Sequence, residues 1–353
     1  MAQAAVTTGD RSPELPALPL EAGQGVTPLS VLKAAIQRRE ATVIVVTIGA
    51  ILYFAVRAPA FHSVANIIVI CQYIAPIMVI GAGEVLMLVL AEIDLSAGQV
   101  YLTAPWFAYW FWTGGVPFGF AVIIALALSV AIGLINGLFT VRLGVPSLIV
   151  TLGTLYTFFG FVLVKSSYTQ EEYPGRGVAG SGAPDGWTKY FGVGSWSTIL
   201  WGLGITLLIW FLLKRTRFGV HTTAAGGNLL GAAEAGVPVK RIKVWCFMII
   251  AVAAGFMGIL DSVRIGSINP GNSGLDIVLT PIVAAVIGGT ALTGGRATVL
   301  GTIIGAIFLG ILEDGLNIIG VQASWFFFFE GVIILIAMAA NVQLGRLAVR
   351  FRR

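Results

Sequence analysis

Four carboxylates stand inside stretches of sequence otherwise built from apolar residues: Glu84, Glu92, Asp94 and Glu330. An ionised group near the middle of a lipid layer costs a few kcal/mol or more, so a carboxylate kept there is expected to have work to do. It can contact a polar solute, carry a proton, or hold the backbone where a helix is interrupted. Glu92 and Asp94 lie beside Ser96, Ala97 and Gly98, and a carboxylate next to a serine suits the exposed amides of a helix start. Capping is the favoured role for this pair, contact with solute the second, and proton coupling the third. Asp261 and Arg264 are spaced to satisfy one another on one helix face, as a local ion pair rather than a gate.

Other chemistry is absent from the pattern. There is no Gly-x-x-x-x-Gly-Lys-Ser/Thr phosphate loop, no His-Glu-x-x-His, no Gly-x-Ser-x-Gly and no Cys-x-x-Cys. The expectation is a chain that is not an enzyme and binds no cofactor and no ATP of its own. Energy for any transport would come from another subunit or an ion gradient. His62 and His221 are too few and too separated for a metal site, and Cys71 and Cys246 both sit in apolar runs, where packing is their natural role.

The elements that must position these residues follow from composition. Of 353 residues, 57% are hydrophobic and 10% charged, with mean hydropathy +0.93. Soluble domains carry about 25% charged residues, so a chain this poor in charge must be covered largely by lipid. The net charge of +5 comes from cations in short hydrophilic gaps, which fits the bias of cytoplasmic loops toward Lys and Arg and not a nucleic-acid surface. Residues 1–40 read as a disordered cytosolic tail, rich in Ala, Pro and Gly and lacking the apolar core of a signal peptide.

The expected fold is all-α and polytopic, with the membrane domain at 41–345. Apolar runs fall at about 41–57, 65–81, 83–113, 117–139, 146–166, 196–214, 244–264, 277–293, 297–317 and 324–342. That gives about ten transmembrane helices with both termini cytoplasmic, the third being one span of broken pieces around Glu92–Gly98. Arg142, Lys214, Arg215, Arg217, Lys240, Arg241, Lys243, Arg296 and the tail cations Arg346, Arg350, Arg352 and Arg353 then all fall inside; Arg57 and Arg264 fall outside. The outer loop at about 167–195 holds Glu171, Glu172 and Asp185. Glu92–Gly98 echoes Gly289–Gly295, and Asn136-Gly-Leu138 echoes Asp314-Gly-Leu316, a weak pattern that two inverted halves would produce. Gly301-Thr-Ile-Ile-Gly305 suits a helix–helix seam within or between subunits.

The loop at 215–243 is the most informative. Asn228 is placed as an N-cap, Leu229–Ala235 as a short Ala-rich helix, Gly236 as its stop, and Pro238 prevents continuation. A capped helix ringed by cations between two spans is well made for docking onto another protein; an ordinary inter-helix loop is the alternative.

That loop, reading Ala225-Gly-Gly-Asn228, Ala232-Ala233 and Ala235-Gly-Val-Pro-Val-Lys-Arg-Ile-Lys243, resembles the coupling-helix segment of ATP-binding cassette permeases for ribose, xylose and related monosaccharides. Ile93–Gly98, Val145–Thr154 and Val286–Gly295 match the same family, in order, so the resemblance covers about 65–345. It implies a permease subunit importing a small sugar through a bacterial inner membrane. It also implies a separate cytoplasmic ATPase that binds the ATP, a periplasmic sugar-binding protein, and a second copy of the permease. Carried over residue by residue, Gly227, Asn228, Ala232, Ala233 and Gly236 form the docking element, with Arg241 and Lys243 at its basic edge. Glu92, Asp94, Ser96, Thr290 and Thr293 are the candidate pathway residues. Two departures stand out: Ala91-Glu92 replaces the family's common Gly-Gly, and Trp325–Phe329 make an unusually aromatic start to the last span. Two rival readings are a permease for branched-chain amino acids or nucleosides, and a self-sufficient secondary transporter or channel.

Overall fold

The computed structural model describes residues 39–174, 191–192, 196–271, 275–322, 325–333 and 335–336, and these are overwhelmingly α-helical. The expected tail, most of the outer loop with Asp185, and the C-terminal arginines lie outside the described residues.

The chain enters through α1 (Arg39–Arg57) and a short 3-10 turn, then α2 (Val64–Val89), α3 (Ser96–Thr113), α4 (Phe118–Arg142) and α5 (Ser147–Ser166). After β1 (Glu171–Glu172) come α6 (Ser197–Arg215), α7 (Arg217–Gly227), α8 (Leu229–Glu234) and α9 (Val239–Ile265). β2 (Ser267–Ile268), α10 (Leu275–Ile287) and α11 (Val299–Ile318) follow, with a last helical segment at 325–333. Six of these helices, α2, α4, α5, α6, α9 and α11, are long and apolar enough to cross a membrane. The protein is therefore a polytopic all-α membrane protein.

Polarity tracks position in the bundle. From Ile74 onward every residue of α2 to Val89 is buried, and α3 is buried from Ser96 to Tyr101 and from Thr103 to Ala108. A helix shielded by others need not be apolar along its length, which lets α3 carry Ser96, Gln99 and Thr103. The peripheral α1 and α5 instead turn Val45, Leu52, Val56, Ile149, Tyr156 and Val164 outward, as a lipid-facing surface requires.

Three expectations change. The break in the chain does not fall within a third span. α2 runs unbroken through 82 to Val89, because nothing near 82 interrupts the helical hydrogen bonds, and the interruption is 90–95, between two separate helices. Likewise the apolar run 277–293 is helical only to Ile287. From Gly288 the backbone is irregular, with Gly289, Gly294 and Gly295 at positive φ.

The inverted repeat is the third. Gly295 N–H donates to Val89 C=O at 2.8 Å, so the two glycine-containing stretches lie at the same end of the bundle. Asn136 and Asp314 lie at opposite ends, one donating to Ser96 at the start of α3, the other accepting from Asn66 at the start of α2. No single symmetry relation covers both pairs.

The Gly301-x-x-x-Gly305 seam is internal. A Cβ on Gly301 would stand 1.9 Å from Gly288 O, and one on Gly305 2.3 Å from Ala284 O, so these glycines seat α11 against α10. At one end of the bundle lie Arg142, Lys214, Arg215, Arg217, Lys240, Arg241 and Arg296; this is the basic end. At the other, β1 and β2 pair antiparallel in the register Glu171↔Ile268 and Glu172↔Ser267.

Candidate coupling interface

Four segments far apart in sequence meet at the basic end: the α2–α3 junction, the start of α5, the α7–α8 pair and the stretch 288–298. Each forms for local reasons, and hydrogen bonds together with close backbone contacts hold the group together.

The junction is an interrupted helix whose amides must find partners. Ala91 takes a left-handed φ of +55°, a conformation that disfavours any side chain bearing a Cβ. Asp94 Oδ1 accepts from the Ser96 amide at 2.9 Å and from the Ser96 hydroxyl at 2.5 Å. Asp94 therefore serves the capping role, wholly buried. Asn136 Nδ2 donates to Ser96 Oγ at 2.8 Å, and Thr154 Oγ1 donates to Asn136 Oδ1 at 2.6 Å. The remaining amides are taken by α5: Ile93 N–H donates to Ser147 Oγ at 3.2 Å and Leu95 N–H to Thr151 Oγ1 at 3.1 Å. Thus Ile93–Gly98 and Val145–Thr154, two of the stretches singled out in the sequence, are partners.

The α7–α8 pair folds as its caps dictate. Asn228 Oδ1 accepts from Gly231 N–H at 2.9 Å, α8 ends at Glu234, and Gly236 has φ +81°, matching the expected cap and stop. α7 was not legible, since Arg217–Gly227 ends in two glycines and has weak helix propensity; its signal is the Thr216 cap, which accepts from Gly219 N–H at 3.4 Å. Ala232 is buried against the bundle, whereas Gly227, Asn228, Ala233, Gly236 and Arg241 are exposed. So are Leu229, at 46%, and Leu230, at 73%. These two leucines give α8 an exposed apolar tip at the basic end. Nothing local in the sequence marks these two leucines.

Backbone contact ties this pair to the bundle. A Cβ on Gly226 would lie 1.9 Å from Val89 O, so only glycine lets α7 close on the end of α2. Gly295 N–H bonds the same carbonyl, bringing the third sequence stretch to the same point. Lys243, at the start of α9, forms an ion pair with Glu92, their side chains 17% and 13% exposed.

The candidate pathway residues are distributed around this junction. Glu92 is paired with Lys243, Asp94 and Ser96 are bonded to one another, Thr290 Oγ1 accepts from Thr298 N–H at 3.3 Å, and Thr293 is exposed. The structure brings Glu92, Asp94 and Ser96 into one hydrogen-bonded junction. Glu84 is buried on α2, and Glu330 is buried on the last helical segment.

A family model described as the permease component of branched-chain amino acid transport systems matches residues 66–338. The chain is 33% identical over 328 residues to a xylose/arabinose import permease of Sulfolobus acidocaldarius, covering 90% of this chain and 88% of that protein. It is 31% identical to the ribose import permease of Escherichia coli, over 80% of this chain and 88% of the relative. With the galactose/methyl galactoside import permease of Haemophilus influenzae it shares 32% over the same fractions, 80% and 88%. No solved structure matches the chain.

Proposed function

We infer what this protein does from one premise: the chain belongs to the family of permease components of branched-chain amino acid type transport systems. Within that family its full-length relatives are import permeases for pentoses and hexoses. The function is that of the membrane-spanning permease subunit of an ATP-binding cassette importer for a small sugar, a transport component working with an ATP-binding subunit and a solute-binding protein. The chain-wide match to named monosaccharide permeases favours sugar over the branched-chain amino acids of the family description.

The observation that carries the mechanism is the junction at the basic end. α7–α8 offers the exposed leucines and basic edge to the ATP-binding subunit, with Asn228 and Gly236 fixing the helix and Arg241 beside it. Because Gly226 packs directly on Val89 O, and Gly295 bonds that carbonyl, a displacement of α7–α8 passes to the α2–α3 junction through backbone rather than through adaptable side chains. The Glu92–Lys243 pair adds a second link, between the junction and α9. Closure of the ATP-binding subunits would thereby rock α2, α3 and α9 together.

The basic end is cytoplasmic on this reading, since cations in short loops mark the inner side. Both termini then lie inside, with ten crossings: α1 to α6, α9, α10 with the stretch after it, α11 and the last segment. The membrane is the cytoplasmic membrane, the inner one if the cell is a bacterium with two. A second permease copy completes the pathway. The face of α5 around Gly153 and Gly160, over which there is open space, suits close helix packing by that copy.

The test is reconstitution in proteoliposomes with the ATP-binding subunit and solute-binding protein, offering radiolabelled D-xylose, D-ribose, D-galactose and L-leucine. ATP-dependent uptake of a sugar is the expected result. Uptake by the chain alone, without ATP or ATPase, would overturn the reading in favour of a secondary transporter or channel.

A further inference from the structure

The half of the bundle nearer the β pair takes no part in the junction at the basic end. There α2, α3, α9, α10, α11 and the last helical segment surround an open cavity of about 650 Å³, within the usual size range of small-molecule sites. Its depth in the bundle is fixed by who lines it. Gln72 is in the first half of α2, Arg264 in the last turn of α9 and Glu313 near the end of α11, all far from the basic end.

One wall is a chain of fixed polar groups on three helices. Arg264 Nη1 donates to Gln72 Oε1 at 3.1 Å, Arg264 Nε donates to Asp261 Oδ1 at 2.6 Å, and Tyr101 OH donates to Asp261 Oδ2 at 2.6 Å. Glu313 also lines the cavity, and Phe327 at its rim is 52% exposed. The pair Asp261–Arg264 thus forms as the spacing suggests, and the fold extends it to partners that the sequence did not show.

The composition of this lining selects its ligand. Hydroxyls of a neutral ring can donate to Glu313 and to the Tyr101 phenol oxygen, whose own proton is held by Asp261, and accept from Arg264, while its C–H face packs on an aromatic ring. An anion would meet two carboxylates against one guanidinium that is already paired. A branched apolar side chain would leave the polar groups unpaired.

We propose that this cavity is the site at which the permease accepts a monosaccharide, with Gln72, Tyr101, Arg264 and Glu313 meeting its hydroxyls and Phe327 its face. Asp261 is a positioning residue that holds Tyr101 and Arg264. The proposal rests on the importer reading and moves solute contact away from Glu92, Asp94, Ser96, Thr290 and Thr293.

The experiment is uptake by the complete reconstituted importer at saturating binding protein, with the same four radiolabelled probes. Gln72→Ala and Glu313→Gln are each expected to lower sugar uptake about tenfold, the scale of one well-placed hydrogen bond, while the ATP-binding subunit still co-purifies at the wild-type ratio. Phe327→Ala alters an exposed ring and keeps the test decisive if a buried-site variant does not reach the membrane; its uptake is also expected to fall. Wild-type sugar uptake in the variants that reach the membrane would overturn this proposal alone. A wild-type importer that carries none of the three sugars, with or without L-leucine, would overturn the sugar reading and this proposal with it.

Discussion

The two ends of the bundle are fastened by different means. At the basic end the critical contacts are backbone to backbone: Gly226 against Val89 O, and Gly295 N–H on the same carbonyl. Toward the β pair the contacts are side chain to side chain, running from Gln72 through Arg264 and Asp261 to Tyr101. Backbone contacts have no rotamers to relax into, so they carry displacement with little loss. Side chains can exchange one partner for another, which a site that must bind and release a solute requires. On the two proposals made above, the stiff end would transmit motion and the adaptable end would meet the cargo.

The largest effect is expected from Gly226→Val, which sets a branched side chain against Val89 O. Overpacking of about 2–3 kcal/mol or more should lower uptake at least thirtyfold (about) and loosen the ATP-binding subunit, read by uptake and co-purification. Near-normal uptake would show that the stiff end is not stiff. Next is the double variant Asn228→Ala with Gly236→Ala. It removes a cap worth about 1 kcal/mol and forces a Cβ into a left-handed conformation costing about 1–2 kcal/mol. ATP hydrolysis should become uncoupled from transport, with uptake down about tenfold and membrane insertion intact; wild-type uptake would argue against docking by α8.

A smaller effect is expected from the ion pair. Glu92→Gln and Lys243→Met should each destabilise the complex by about 1–3 kcal/mol, by leaving a largely buried partner unmet. The double variant should lose less than the sum, as thermal denaturation in detergent would measure. Additive losses would make Glu92 a local group only. The smallest belongs to the other end: Tyr101→Phe removes one donor to Asp261, about 1 kcal/mol, and should reduce sugar uptake about fivefold without touching co-purification of the ATP-binding subunit. A coupling defect in that variant would erase the distinction between the ends.

How much of this could be read beforehand depends on the range of each signal. Asn228, Leu229–Glu234 and Gly236 were legible because a cap, a short helix and a stop are settled within a few residues. Asp94 beside Ser96 was legible as a cap for the same reason. The interruption near Glu92 was recognised, but its place in the topology was not. A hydropathy pattern registers an apolar run without showing whether α2 continues to Val89 or stops near 82. α7 was missed because its glycines hide a helix held by packing against α2. The exposed Leu229 and Leu230 looked like ordinary helix residues until their solvent exposure was known.

Residence in lipid, then, was determined by the sequence alone, because it follows from composition summed over the chain. So was the capped helix at 229–234, because capping is local chemistry. Family-like motifs at 93–98, 145–154 and 286–295 were visible as separate words. That they meet at Val89 and Ser96, that Glu92 finds Lys243 across 151 residues, and that Asp261 and Arg264 face a cavity with Gln72 and Tyr101 were decided only by the tertiary structure. Those contacts depend on which helices become neighbours and at what depth, and no local pattern in a chain of similar apolar runs specifies that choice.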